Sequence, residues 1–237
     1  MKKYEFTGET KVINDWRGEV TLHRIRAVIE FKNVSVGDIG GWIEREENLS
    51  HENNAWVYGN ARVCGNALVS DNALVCGNAL VCGNARVRGN ALVSDNALVS
   101  DNALVRGNAL VSDNALVRDN ARVRGNARVR DNARVYDNAR VYNDALVSDN
   151  ALVCGNARVC KPSHVLVIGP IGSRNDFTTF FRDKDNETTV KCGCFLGKID
   201  KFLQKVSNTH GDSKYALVYR AAVEVAKAQI DLSKEED

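Results

Sequence analysis

Between residues 53 and 160 apolar and polar positions recur with a period of six, without an insertion or a deletion. In its dominant form the unit reads [Gly/Asp]-Asn-Ala-[Leu/Arg]-Val-x, and it is written eighteen times. Ala recurs at every sixth position, 55 through 157, and Val at every sixth position, 57 through 159. Ala and Val stand two residues apart, so on an extended backbone they share one face and the two variable letters share the other. The Gly/Asp-Asn pair between these short strands predicts a corner, because these residues tolerate the positive φ of a sharp turn. Small aliphatic inward residues with a corner every six positions predict a left-handed parallel β-helix. Such a helix is a triangular prism of about six coils with three hexads each.

The flanks follow other rhythms. Val20 and Leu22, then Ile25, Ala27, Ile29 and Phe31, alternate with period two and predict short strands within 1–36. Counting back in sixes from Val57 and Ala55 brings Ile39, Ile43 and Leu49 to inward positions. Residues 37–52 are therefore expected to form an irregular first coil that closes the prism end. Beyond the repeat, Lys161-Pro162-Ser163 breaks the register. A strand is predicted at 165–168, then a hairpin of 177–182 and 188–195. A helix over 197–208 carries Ile199, Phe202, Leu203 and Val206 at i, i+3, i+4, i+7 spacing, and Gly211 stops it. A second helix over 212–230 and a solvated tail over 231–237 complete a small α+β module. The expected organisation is a β cap (1–52), a mainly β solenoid (53–160) and a C-terminal α+β domain (161–237).

The repeat resembles the hexapeptide-repeat solenoids, in which an aliphatic residue is followed four positions later by a small one. Val57 and Ala61 match, as does every later pair. Gly40-Gly41-Trp42-Ile43 leading into Asn48-Leu49-Ser50 is similar to the entry of uncharacterised bacterial solenoids of this type. Cys192-Gly193-Cys194-Phe195, followed by Thr209-His210-Gly211-Asp212, resembles a small module behind repeat regions of phage and prophage proteins. That second resemblance implies a phage setting. Many hexapeptide solenoids are acyltransferases with a catalytic His on or near a coil. Here no His lies within the repeat: the four are His23, His51, His164 and His210. His51 and His164, near the two prism ends, are the candidates for a general base.

Folding the register at eighteen sorts the variable letters into three faces. The first carries leucines at Leu74, Leu92 and Leu110, and the second at Leu80, Leu98 and Leu116. The third carries Arg86, Arg88, Arg106, Arg122, Arg124, Arg140, Tyr142 and Arg158. Asp95, Asp113, Asp131 and Asp149 line the corner after the first face, and Asp101, Asp119 and Asp137 the corner after the second. The corner after the third face is mostly Gly. An arginine-and-tyrosine face fits a nucleic-acid backbone or an acidic protein surface. The leucine ladders form apolar patches expected to meet another copy or a partner.

The formal charge of +2 announces no general polyanion partner, and no apolar run is long enough to span a bilayer. The seven cysteines fall mostly on a repeat position that also accepts Ser, Arg or Tyr. They read as reduced thiols in a cytoplasm rather than a disulfide framework. Cys64 and Cys82 stack in adjacent coils, and Cys192 and Cys194 are expected on one side of a single strand. No metal, cofactor or catalytic residue is expected. The sequence thus points to a non-enzymatic binding protein of phage origin, acting through a rigid solenoid surface. Its expected target is a host defence complex that handles nucleic acid, such as a CRISPR effector. A self-assembling scaffold and an acyltransferase are the alternatives.

Overall fold

The corners set the turn count. In the computed structural model, which describes residues 1–15 and 17–233, the residue opening each repeat has positive φ. The value is 58–61° at the corner aspartates of the repeat and 59–74° at its glycines. Each corner feeds a two-residue strand, eighteen in all, from β4 (Trp56–Val57) to β21 (Arg158–Val159). These pair in parallel with the strands one coil away, Leu92 lying between Leu74 and Leu110. The three faces expected from the register are the three sheets of the prism. The Ala and Val of every repeat point inward and are at most 1% exposed.

The solenoid begins before the regular repeat. Strand β3 (Ile39–Ile43) pairs in parallel with Arg62–Val63, and Leu49 bridges to Val69, giving about seven turns. The irregular first coil is therefore present, but its register differs from a count in sixes. Ile43 aligns with Val63 and Leu49 with Val69, an offset longer than the regular coil because of extra residues in the segment 50–54. Ile43 and Leu49 are buried as expected, whereas Ile39 is 49% exposed. Gly41 occupies the Ala position, and a Cβ there would lie 2.6 Å from Val57 Cγ1 and 2.7 Å from the Ala61 carbonyl.

Both ends of the prism are closed. The hairpin of β1 (Tyr4–Asp15) and β2 (Gly18–Ala27) adds antiparallel to β3. It carries Tyr4 and Ile25 into contact with the first coil, and both are buried with Trp56. Exposed coil carbonyls are met by side chains. The buried Lys3 Nζ donates to Ala55 O at 2.7 Å, and Asn48 Nδ2 donates to Gly65 O and Ala67 O. At the other end stands an antiparallel sheet of β22 (Val165–Ile171), β23 (Asp176–Arg182), β24 (Thr188–Cys192) and β25 (Phe195–Lys198). Phe181 joins the solenoid core, while its neighbour Phe180 packs with the helices α1 (Ile199–His210) and α2 (Lys214–Gln229). The last coil is tied on through Leu152 N, which donates to Thr179 Oγ1 at 2.9 Å. The predicted strand 188–195 is two strands, because Gly193 at φ 53° turns the chain back. The last residues of the expected tail, 234–237, lie outside the described residues.

Corner side chains add a second set of bonds between coils. Asn Nδ2 donates to the Asn Oδ1 one coil on, from Asn54 through Asn72, Asn90 and Asn108 to Asn126. The series ends on Asp144 Oδ1. Asp cannot donate, but here it needs only to accept, since the chain leaves the register at Pro162.

Substitution at inward and outward letters should separate cleanly. Ala103→Leu overfills a closed core and should cost about 1–3 kcal/mol, more than Leu104→Ala on the outer surface, when both are compared by urea unfolding. Lys3 supplies a pH test. Burial pushes its ammonium down to about 8 from 10.5. The unfolded chain takes up that proton at the higher pH, so the contribution of Lys3 to stability is fullest at high pH. It is lost as the pH falls from 10.5 towards 8. Between pH 8 and 10 the rise of unfolding free energy with pH should be shallower in Lys3→Met.

Candidate functional site

An outward side chain on one strand has neighbours directly above and below it in the same sheet, so any run of like residues becomes a stripe. On the third face Arg86 pairs with Leu104, Leu104 with Arg122, Arg122 with Arg140, and Arg140 with Arg158. Arg86, Arg122 and Arg140 are exposed. Arg88, Arg106 and Arg124 follow on the same face, and the Arg124 guanidinium lies 5.1 Å from the Tyr142 ring centre. Leu104 stands between two arginines, and with Arg86, Arg88, Arg122, Asn84 and Asn102 it lines a groove of about 290 Å³.

The charge on this face is not offset locally. On the other faces Arg118 meets Asp119 at 3.6 Å and Arg130 meets Asp131 at 3.7 Å, each using the acidic corner beside it. After the third face the corner opens with Gly89, Gly107, Gly125 and Asn143, and the carboxylate of Asp144, which follows Asn143, accepts from Asn126 Nδ2 at 2.9 Å. Asp71 opens that column, but its carboxylate accepts from Gly89 N at 2.9 Å. Among the described residues, Arg86, Arg88, Arg106, Arg122, Arg124 and Arg140 form no ion pair with a carboxylate. The field is felt at the end of the stripe. Burial, then the neighbouring charges of Arg140, Arg122 and Arg124, hold the Arg158 guanidinium below its usual range, against an opposing effect of Tyr142.

The acidic corners themselves are part of the scaffold. Asp137 Oδ2 accepts from Gly155 N one coil on at 3.0 Å. Ser94, Ser100, Ser112 and Ser148 each donate to the Asp that follows, at 2.7–2.9 Å. The pairing of Ser with Asp in the sequence was the available signal for this role.

Two expectations change. The leucine ladders are less open than strand alternation predicts: Leu74, Leu92, Leu110, Leu80, Leu98 and Leu116 are half-buried, because each lies against the coils above and below. Leu80 also packs with Trp42 and the N-terminal hairpin. Cys192 and Cys194 do not share a strand face. Cys192 ends β24, and Cys194 is exposed in the turn that follows. The stacking of Cys64 on Cys82 is present without a disulfide. Hydrogen bonding to Cys82, together with burial, raises the Cys64 thiol far above its usual range.

The candidate bases sit at the two prism ends. His164 is fully buried, with Nδ1 3.4 Å from Cys160 Sγ and 3.5 Å from an Arg182 nitrogen. No substrate reaches it there. His51 stacks on Tyr4 at 4.3 Å, and its Nδ1 accepts from Lys3 N. Burial lowers its pKa. His210, of the Thr209-His210-Gly211-Asp212 segment, lines a pocket in the C-terminal module with Arg174, Lys205 and Tyr219, and Cys192, Cys194 and Phe195 line it too. The Cys-Gly-Cys-Phe and Thr-His-Gly-Asp segments were the available signal, while Arg174, Lys205 and Tyr219 come from elsewhere in the module.

Three parallel sheets around an Ala/Val core, with a left-handed corner every six residues, define a hexapeptide-repeat β-solenoid. A family model described as the YdcK beta solenoid repeat matches residues 55–71, 61–77 and 133–149. The chain is also similar to a protein of Escherichia coli (strain K12) named "Uncharacterized acetyltransferase YdcK". The two are 36% identical over 62 residues, which cover 24% of this chain and 19% of that protein. This similarity corrects the expectation of a protein that is not an enzyme, since the relative's name places it among acetyltransferases. Counting histidines on the coils tested only one placement of a general base, and catalytic groups need not lie on the coils. The matched repeats do not include the tail module on which the phage setting rested.

Thiol reactivity should follow the exposure described above. A disulfide reagent should modify Cys194 first, while Cys64, Cys154 and Cys160 stay protected until denaturant is added. Mass spectrometry of partly labelled protein locates the modified residue.

Proposed function

We propose that the third face of the prism is a phosphate-binding surface, and that its occupant is the nucleotide portion of an acyl thioester donor such as acyl-CoA. The observation that carries this reading is a stripe of arginines that form no ion pair among the described residues, beside a corner whose two carboxylates, Asp71 and Asp144, accept from Gly89 N and Asn126 Nδ2. Arginine binds phosphate oxygens with two parallel N–H donors, and uncompensated like charges draw an anion to the surface. The groove between Arg86 and Arg122, with Leu104 at its floor, offers apolar contact as well as charge. The acetyltransferase name of the relative supports acyl transfer as the reaction class. No helix among the described residues is long and apolar enough to cross a membrane, and the seven cysteines carry no disulfide. Those free thiols support a cytoplasmic setting.

A second reading is favoured by the length of the stripe, which from Arg86 to Arg158 covers five of the six strands of its sheet, four strand spacings or roughly 19 Å. A nucleic-acid backbone would follow it, and a host complex that handles nucleic acid, such as a CRISPR effector, would be the target.

Isothermal titration with CoA, acetyl-CoA and a short DNA or RNA strand separates the readings. The acyl-donor reading expects saturable CoA binding that weakens by about tenfold or more in Arg86→Gln/Arg122→Gln, with the fold kept by circular dichroism. Absence of CoA binding would sink it. Tight oligonucleotide binding with a steep loss in salt would put the nucleic-acid reading in its place.

A further inference from the structure

The C-terminal module contains a pocket that the solenoid reading does not use. Its floor is apolar: Phe195, Phe202, Val206 and Tyr219. Phe202 meets Phe195 at 5.3 Å and Tyr219 edge-on at 5.5 Å between ring centres. The rim is cationic. Arg174 comes from the turn between β22 and β23, Lys205 from α1, and His210 closes α1 with its ring 5.8 Å from Tyr219. No carboxylate lines the pocket, and among the described residues neither Arg174 nor Lys205 forms an ion pair. Three acids of the module are engaged elsewhere: Asp183 and Glu187 with Lys198, and Asp212 with Arg220.

Two glycines keep the pocket open. A Cβ at Gly172 would lie 1.9 Å from the Tyr219 hydroxyl, and one at Gly193 would lie 2.7 Å from Arg174 Nη1. The backbone at these two points therefore gives room for the ring that forms the floor and the guanidinium that forms the rim. The pocket is small, about 210 Å³. That size suits a metabolite-sized ligand rather than a peptide or a nucleotide chain.

From this arrangement we infer a binding site for a small organic anion, a carboxylate or phosphate attached to a planar apolar body. The body stacks against Phe195, Phe202 and Tyr219, and the anion sits between Arg174 and Lys205. An aromatic floor favours a flat apolar group, and two cations without a carboxylate partner at the rim of a low-polarity pocket, Lys205 lying 5.8 Å from the Phe195 ring centre, favour a single negative charge above it. This site is independent of the arginine face and stands whether or not that face binds a nucleotide.

The test uses the full chain carrying Arg86→Glu/Arg122→Glu, so that the solenoid stripe does not compete. Phenyl phosphate and benzoate are titrated while the NMR signals of His210, Tyr219 and Phe202 are followed. Both probes should shift these signals saturably. Arg174→Gln and Lys205→Gln, each on an exposed side chain, should weaken binding by about tenfold. Benzyl alcohol should bind more weakly than either anion, and inorganic phosphate more weakly than phenyl phosphate. The inference fails if the anionic probes leave these signals unmoved at millimolar concentration, or if both cation variants bind as the parent does. It fails equally if the neutral probe matches the anions, or if inorganic phosphate matches phenyl phosphate. Distinguishing carboxylate from phosphate then rests on which of the two probes binds more tightly.

Discussion

The whole molecule depends on a left-handed corner placed every six residues. Each six-residue repeat buries only two inward side chains, its Ala and its Val, so no coil holds a core of its own. Main-chain bonds to the next coil complete it, as when Leu92 N donates to Ala109 O at 2.9 Å. Positive φ excludes most side chains, which confines the corner to Gly, Asp and Asn. The same restriction hands the corner its second function, since Asp and Asn carry the groups that bond to the adjacent coil. Shape and cohesion are thus supplied by the two corner letters, the first taking the positive φ and the Asn of the second bonding to the next coil.

A stack of this kind cannot stop without exposing carbonyls, amides and a Val/Ala core. The two terminal modules answer that constraint in different ways. At the N-terminal end, polar side chains of Lys3, Asn48 and Tyr4 take the places of main-chain partners, and Trp56 is covered completely. At the C-terminal end a sheet lies across the last coil, with Phe181 facing the prism and Phe180 facing the helices. One strand therefore serves two cores. The pocket of the C-terminal module lies in the second of these.

With the inside fixed, chemical variety is confined to the outer letters and to the choice of corner residue. An arginine beside an aspartate corner is paired and belongs to the scaffold, as Arg118 and Arg130 show. An arginine beside a glycine corner, such as Arg88 or Arg106, has no carboxylate in an ion pair with it among the described residues. The distinction lies in the corner residue and not in the arginine. It also explains how a repeat shared with a protein named as an acetyltransferase can carry a surface of quite different polarity on each face.

Much of this was legible in the sequence, because the solenoid is nearly one-dimensional: contacts fall at a fixed spacing, and periodicity determines them. Inward Ala and Val, the corner residues, the Asn series and the membership of each face all follow from counting. Counting failed wherever the spacing changed. Extra residues near position 52 moved Ile39 out of the core, and Gly193 divided one expected strand into two. The degree of burial of the leucines also escaped it, since alternation gives a direction and not the cover supplied by neighbouring coils. The pocket around Arg174, Lys205, His210 and Tyr219 was decided by tertiary structure. Its residues are scattered over β-turn, strand and two helices, and only the packing of those elements brings their side chains together.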